Sequence, residues 1–317
     1  KNTWPKFSST IPTLDNHPLG RASASCFAPV FEQTMRFKHL LWAALWPLCS
    51  AAHAACPDDA AVKAFLSDFA KRQLSTGFGA NLSAADAECA KAKVIAQLPL
   101  YLGKRIGYKA AFTSAAAQQQ FGLDGPRWGS MFDRNMVDII AVLPSNFGAR
   151  PMAEADLILE VKDPALADAK TPLEALACIE SMVPFIELPD LMMADPLNGN
   201  GLVAINAAFR GGVTGAEIPL HADQATVDAL AQMTVVWSDL KSGQELGRTP
   251  GQSLMGHPLN AAIWLAQALK KDGISLKKGD LLSLGSFFPA RPVTSGMHVQ
   301  VQYLGMPGNP SVSVEFN

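Results

Sequence analysis

The spacing of apolar residues changes character along the chain. Residues 58–74 place Val62, Phe65, Leu66 and Phe69 three and four apart, the stripe of an amphipathic helix. Gly77 and Gly79 end it, and Ser83, with Asp86 three residues on, starts a second helix to about Leu98. Residues 107–112 read as a strand. Thr113-Ser114 then caps a short helix over 115–121, and residues 137–143 read as another strand. From Met152 to Val161 the period becomes two: Leu157, Leu159 and Val161 alternate with Glu154, Asp156, Ile158 and Glu160. Thr171-Pro172-Leu173-Glu174 is a capping box with proline at the first helical position; the helix is expected to reach about Met182, followed by a strand over 183–188 that carries Glu187. Gly256-His257-Pro258 opens a helix with Leu259, Ile263, Ala266 and Leu269 on one side. Lys278-Gly279-Asp280 turns into a strand over 281–284. Two alternating strands, around Val299-Val301-Tyr303 and Val312-Val314-Phe316, close the chain as a hairpin. Helices first and then a strand-rich, mostly antiparallel body predict an α+β fold.

Composition narrows the function classes. With 49% apolar and 17% charged residues in 317, the chain is globular and long enough for a full core. Its formal charge of −2 leaves no basic excess for phosphate neutralisation, which argues against a nucleic-acid partner. The N-terminal region has its own logic. Met35 is followed by basic Arg36 and Lys38, a short apolar run over 40–48, and Ala52-His53-Ala54 as an A-x-A cleavage site. We expect 1–34 to be a non-native upstream extension, 35–54 a signal peptide, 55–145 an N-terminal helical and β subdomain, and 146–317 a C-terminal catalytic domain. The mature protein would be periplasmic or secreted and free of the membrane. An oxidising compartment would permit a Cys56–Cys89 disulfide, with two free thiols as the alternative; Cys178 is expected in the core of a helix.

Glu154 and Asp156, two apart on a strand, lie roughly 7 Å apart at the backbone. Carboxylates so placed repel unless they are solvated or share a cation. Glu187 on a later strand could add a third oxygen ligand, and three carboxylates with open positions suit Mg²⁺ or Mn²⁺. The alternative is a solvated strand face.

The phrases GYKAAFTS (107–114), GSMFD (129–133), EADLIL (154–159), PFIEL (184–188), GHPLNAAIWLA (256–266) and LGSFFP (284–289) occur in one order. This series resembles the 2-keto-4-pentenoate hydratase branch of the fumarylacetoacetate hydrolase family over about residues 60–317. The resemblance implies N-terminal helices on a mixed, mostly antiparallel β-roll, a divalent metal, and a homo-oligomer acting on a small 2-oxo acid. Carried over, Glu154, Asp156 and Glu187 are the metal ligands. Lys109 of the GYK phrase and Asp133 of the F-D phrase are catalytic candidates. Asn206, His257, Ser286 and Phe287 are substrate-binding candidates, although His257 also fits a helix-start residue satisfied by backbone. The chain departs from the family pattern in three places: Asp156 replaces a glutamate, Met152 an arginine, and Ile205-Asn206-Ala207-Ala208 a D-N-A-S phrase.

The resemblance implies hydration of an unsaturated 2-oxo acid such as 2-hydroxypenta-2,4-dienoate. A related 2-oxo-enedioate decarboxylase passes through the same metal-held enolate. Hydrolysis of a β-diketone acid would need an N-terminal His–Glu pair, and no histidine lies between Ala55 and Leu220. The export signal and altered ligand set also admit a catalytically silent 2-oxo-acid binding protein.

Overall fold

The computed structural model describes residues 56–79, 81–138 and 141–317; the expected extension and signal peptide lie outside them. Helices α1 (Asp59–Lys71), α2 (Ala84–Gln97) and α3 (Pro99–Leu102) precede β1 (Arg105–Ala111), α4 (Ala115–Phe121), β2 (Arg127–Phe132), β3 (Met136–Asp138) and β4 (Ala141–Leu143). Next come β5 (Met152–Val161), α5 (Pro172–Ala177), β6 (Ile179–Leu188), α6 (Gly199–Ala204), β7 (Gly211–Thr214), β8 (Ile218–Pro219), α7 (Gln224–Gln232), β9 (Thr234–Asp239) and β10 (Gln244–Pro250). The last elements are α8 (Pro258–Lys271), β11 (Leu281–Ser283), β12 (Arg291–Pro292), β13 (His298–Leu304) and β14 (Ser311–Phe316).

The helix starts follow the sequence signals. Ser83 accepts from the Asp86 amide, Ser114 from Ala117 and Thr171 from Glu174, each satisfying an otherwise orphaned first-turn donor. Helix α5 stops at Ala177, short of the expected Met182. From Ile179 the backbone instead hydrogen-bonds along β5, and β6 runs ten residues. Cys178 is therefore the helix C-cap rather than a mid-helix residue, half-buried and packed against the core as expected. The segment expected as one strand over 137–143 serves two sheets: β3 pairs with β7, and β4 with β14.

Among the described residues, one sheet of nine strands runs β2-β1-β11-β5-β6-β7-β3, with β12 beside β5 and β8 beside β6. The second has five, in the order β10-β9-β13-β14-β4. Most neighbours are antiparallel; β1–β11, β3–β7 and β4–β14 are parallel. This is the mixed α+β architecture expected. Strands from both sides of the 145/146 division share the first sheet, because β1 pairs with β11 and β11 with β5. Alternation on β5 assigns its two faces. Leu157, Leu159 and Val161 join Trp237, Val299, Val301 and Tyr303 in the core between the sheets. Ile158, with Phe185 of β6, faces Val62, Phe65 and Phe69 of α1. Glu154 and Asp156 thus lie on the side of the sheet that the N-terminal helices cover.

Cys56 and Cys89 form a disulfide across 33 residues, fastening the start of the described chain to α2. Closing a loop of that length removes about 3–4 kcal/mol of unfolded-state entropy in the chain-entropy account.

Candidate active site

Four neighbouring strands, in the order β1-β11-β5-β6, bring the candidate residues together. Glu154 of β5 stands directly opposite Glu187 of β6, and Asp156 opposite Phe185. On β1, Lys109 pairs in register with Ser283 of β11, which itself pairs with Ile158 of β5. The Lys109 ammonium is buried and donates to Glu187 Oε1 in an ion pair, and to the Ala207 carbonyl at 3.0 Å. The other Glu187 oxygen, Oε2, is buried without a hydrogen-bond partner among the described residues. A buried acceptor in that position favours a donor or cation that the chain itself does not provide.

The charges are not balanced. One ammonium faces three carboxyl groups. Burial first, and then the charge of Glu187, push the Glu154 carboxyl up to about 8 against the opposing pull of Lys109. Burial also raises Glu187, with Lys109 opposing. Asp156 is raised to about 7 by burial and by Glu187, in opposition to its hydrogen bonds. Those bonds are extensive. Its carboxylate accepts from Ser283 Oγ at 2.6 Å, from the Leu284 amide at 3.1 Å and from the Gly285 amide at 3.0 Å. Gly285 holds φ +101, and a Cβ there would lie 2.7 Å from Thr113 Oγ1, so glycine is required where the loop turns its amide onto Asp156.

This geometry separates the three expected ligands. Glu154 and Glu187 fit a divalent cation as a facing pair with an orphaned oxygen. Asp156, a methylene shorter than glutamate, is drawn onto Ser283 and the 284–285 amides. Among the described residues, no three acidic, histidine or cysteine side chains converge closely enough to hold a metal. Lys109 instead supplies Glu187 with its counter-ion.

No protein-family model matches the chain. The chain is 30% identical over 212 residues to 2-keto-4-pentenoate hydratase 1 of Dechloromonas aromatica (strain RCB), covering 66% of this chain and 78% of that relative. It belongs to the 2-keto-4-pentenoate hydratase branch of the fumarylacetoacetate hydrolase family. Members of that branch are lyases, and this chain is an enzyme of that class. Two solved structures of 4-oxalocrotonate decarboxylase from Pseudomonas putida G7 share the fold. The one complexed with magnesium and adipate has TM-score 0.70 and 22% identity, covering 81% of this chain and 96% of that one. The one complexed with calcium and acetate has TM-score 0.63 and 25% identity, covering 74% and 86%.

Against that family pattern the other candidate residues divide. Asn206 is at the cluster, and its amide is tied to the β2 backbone: Oδ1 accepts from the Ser130 amide at 2.7 Å and Nδ2 donates to the Ser130 carbonyl at 2.8 Å. It clamps β2 and fixes a run of three left-handed residues, Asn206, Ala207 and Ala208, whose middle carbonyl holds Lys109. Ser286 and Phe287 lie on the loop beside Asp156, where the Phe287 amide and Ser286 Oγ both donate to the Ala155 carbonyl. The Phe287 ring is buried against Tyr303 and packs the core.

Two candidates fall elsewhere. Asp133 is exposed beyond the end of β2, where its carboxylate accepts the Lys104 amide at 2.9 Å. Because Gly129 is the β2 partner of Lys109, Asp133 lies four residues further on, roughly 13 Å along the strand. It closes a turn and cannot exchange protons with groups at Lys109. His257 caps α8: Nδ1 accepts the Leu259 amide at 3.0 Å and Nε2 lies 3.1 Å from the Val227 carbonyl. Burial lowers its pKa. The ring is neutral with both nitrogens engaged, which removes it as a substrate ligand.

Ser283, Gly285 and Tyr303 are the residues that motif reasoning does not single out. Tyr303 hydroxyl donates to the Asp156 carbonyl and accepts from the Phe185 amide at 3.4 Å, bridging β5 and β6 from the core side. A serine in the otherwise apolar β11 and a tyrosine on the buried face of the alternating β13 are the sequence signal for such a role.

Proposed function

We propose that the protein is a metal-dependent hydro-lyase that adds water to an unsaturated 2-oxo acid such as 2-hydroxypenta-2,4-dienoate. The observation that carries this is the buried Lys109–Glu187 ion pair with Glu154 facing it across the strands, in a chain of the hydratase branch. Glu154 and Glu187 would hold Mg²⁺ or Mn²⁺. Asp156 would join them by leaving Ser283 or by acting through water. A bound cation supplies Lewis-acid stabilisation to a 2-oxo-acid enolate. Magnesium and calcium in the structures of a similar fold support a divalent ion. The chain's own contribution is positional. Lys109, aimed by the Ala207 carbonyl, presents an ammonium that can bind the substrate carboxylate or hold a proton near the enolate oxygen. The N-terminal helices cover the face of the strand pair on which these carboxylates lie and limit the access of water to it.

Decarboxylation of a 2-oxo-enedioate is the second reading, favoured by the fold shared with 4-oxalocrotonate decarboxylase. The deciding experiment follows the ultraviolet decay of 2-hydroxypenta-2,4-dienoate with Mg²⁺ or Mn²⁺, with spontaneous ketonisation subtracted and products weighed by mass spectrometry. Metal-dependent addition of water, lost in Glu154→Ala, is the expected result. No turnover of the dienoate alongside CO₂ release from an oxo-enedioate would replace hydration by decarboxylation. Metal-dependent binding of 2-oxo acids without any product would mark a silent binding protein.

The enzyme is further proposed to work outside the cytoplasm as a homo-oligomer. The Cys56–Cys89 disulfide supports an oxidising compartment, and no helix of the described residues is long and apolar enough to cross a membrane. Intact-mass analysis of protein released from the cell envelope should give a chain starting near Ala55 with one alkylatable thiol, Cys178. A mass that retains Met35 would refute cleavage.

A further inference from the structure

A cavity of about 470 Å³ opens at the other end of the β1–β11 pair from the carboxylate cluster. Glu160, on its wall, is four residues along β5 from Asp156, roughly 13 Å away. Tyr108, beside Lys109 in sequence, points to the opposite face of the strand and lines this cavity instead.

The lining carries a net positive charge. Lys104, Arg105, Lys277 and Lys278 face two carboxylates, Glu160 and Asp280. Both acids are committed to the chain. Asp280 accepts the Lys277 amide at 2.8 Å within its own turn, and Glu160 accepts the Ser181 hydroxyl at 3.1 Å. A third acid, Asp133, caps the Lys104 amide nearby. None of the four cations forms an ion pair among the described residues. In a chain of net charge −2, that is a local concentration of unpaired positive charge.

A second observation points to a ligand. Tyr108 is 2% exposed, and its hydroxyl has no hydrogen-bond partner among the described residues. The Arg105 guanidinium is stacked 5.1 Å from the centre of its ring, which fixes one cation at the phenol. A hydroxyl that is unbonded among the described residues and open to solvent, with a guanidinium over its ring, can offer donors to an oxyanion. Ile106 and Leu281 add apolar wall.

We propose that this cavity is a second ligand site, separate from the carboxylate cluster, for a small organic dianion. Arg105, Lys277, Lys278 and the Tyr108 hydroxyl would hold its acidic oxygens, and its apolar body would lie on Ile106 and Leu281. The oxyanion chemistry is common to dicarboxylates and phosphate esters, so the test uses one probe of each kind. The proposal does not depend on the lyase reading.

Calorimetric titration of the full chain in EDTA, at fixed ionic strength, would use succinate and inorganic phosphate. Saturable one-site binding of either is expected; succinate alone marks a dicarboxylate site, phosphate alone a phosphate-ester site. Lys277→Gln/Lys278→Gln should weaken it about tenfold or more, and Tyr108→Phe about three- to tenfold. Glu154→Ala should leave it unchanged, since that residue belongs to the other cluster. No binding of either probe at 10 mM (roughly the weakest affinity of interest), or binding indifferent to the paired lysine substitution, would overturn the proposal.

Discussion

Glu187→Ala is expected to abolish divalent-metal binding and to destabilise the metal-free protein by about 3–5 kcal/mol. The two effects have different origins. Metal binding fails because the variant removes the orphaned oxygen and half of the facing carboxylate pair. Stability falls because the Lys109 ammonium stays buried with only the Ala207 carbonyl to receive it. Removing one partner of a buried ion pair costs far more than removing both. The double variant Lys109→Met/Glu187→Gln should therefore regain most of the lost stability while still failing to bind metal. Urea unfolding of the two variants, with calorimetric Mn²⁺ titration, separates the effects. Unchanged metal affinity in Glu187→Ala would remove the residue from the ligand set. Glu154→Ala should lose metal without a comparable loss of stability, because no ion pair depends on it.

The metal-free protein is also expected to lose stability as pH rises from 5 to 8, by roughly 6 kcal/mol if the two shifts act independently. Glu154 moves from 4.5 in an unfolded chain to about 8 in the fold, and Asp156 from 3.8 to about 7. Between those limits the folded state holds protons that the unfolded state has released, so each rise in pH favours unfolding. The contribution is fully present below the unfolded values and is lost by about pH 8. Saturating Mg²⁺ or Mn²⁺ should flatten or reverse the slope, since a cation favours the ionised carboxylates. Thermal unfolding at pH 5, 6.5 and 8, with EDTA or with metal, checks both halves. Stability that rises with pH in EDTA would mean that Glu154 and Asp156 are ionised without a metal.

Local chemistry was legible in the sequence where one element settled its own structure. Ser83, Ser114 and Thr171 cap the helices their spacing announces, and the alternation of residues 152–161 correctly puts Glu154 and Asp156 on one face. Pairing between distant strands was less legible. Residues 178–182 are compatible with a helix by local spacing, but β5 offers Ile179 and Ser181 strand partners, and that long-range hydrogen bonding prevails. The same limit applies at the site. Family motifs point to Lys109 and Glu187, yet their direct ion pair depends on how far apart β1 and β6 lie in the sheet. Asp133 and His257 show the converse: a residue inside a motif phrase can be spent on closing a turn or capping a helix. The missing methylene at Asp156 is visible in the sequence, whereas its capture by Ser283 and two amides is visible only in three dimensions.

The Lys109–Glu187 pair also bears on how such a protein becomes loaded. With an internal cation already neutralising Glu187, the strands around the cluster can close before any ion arrives. At the proposed site, metallation would then be an exchange of counter-ions on a finished scaffold. A chelator should yield a folded, reloadable protein, and the affinity for the incoming ion is lowered by the work of parting lysine from glutamate.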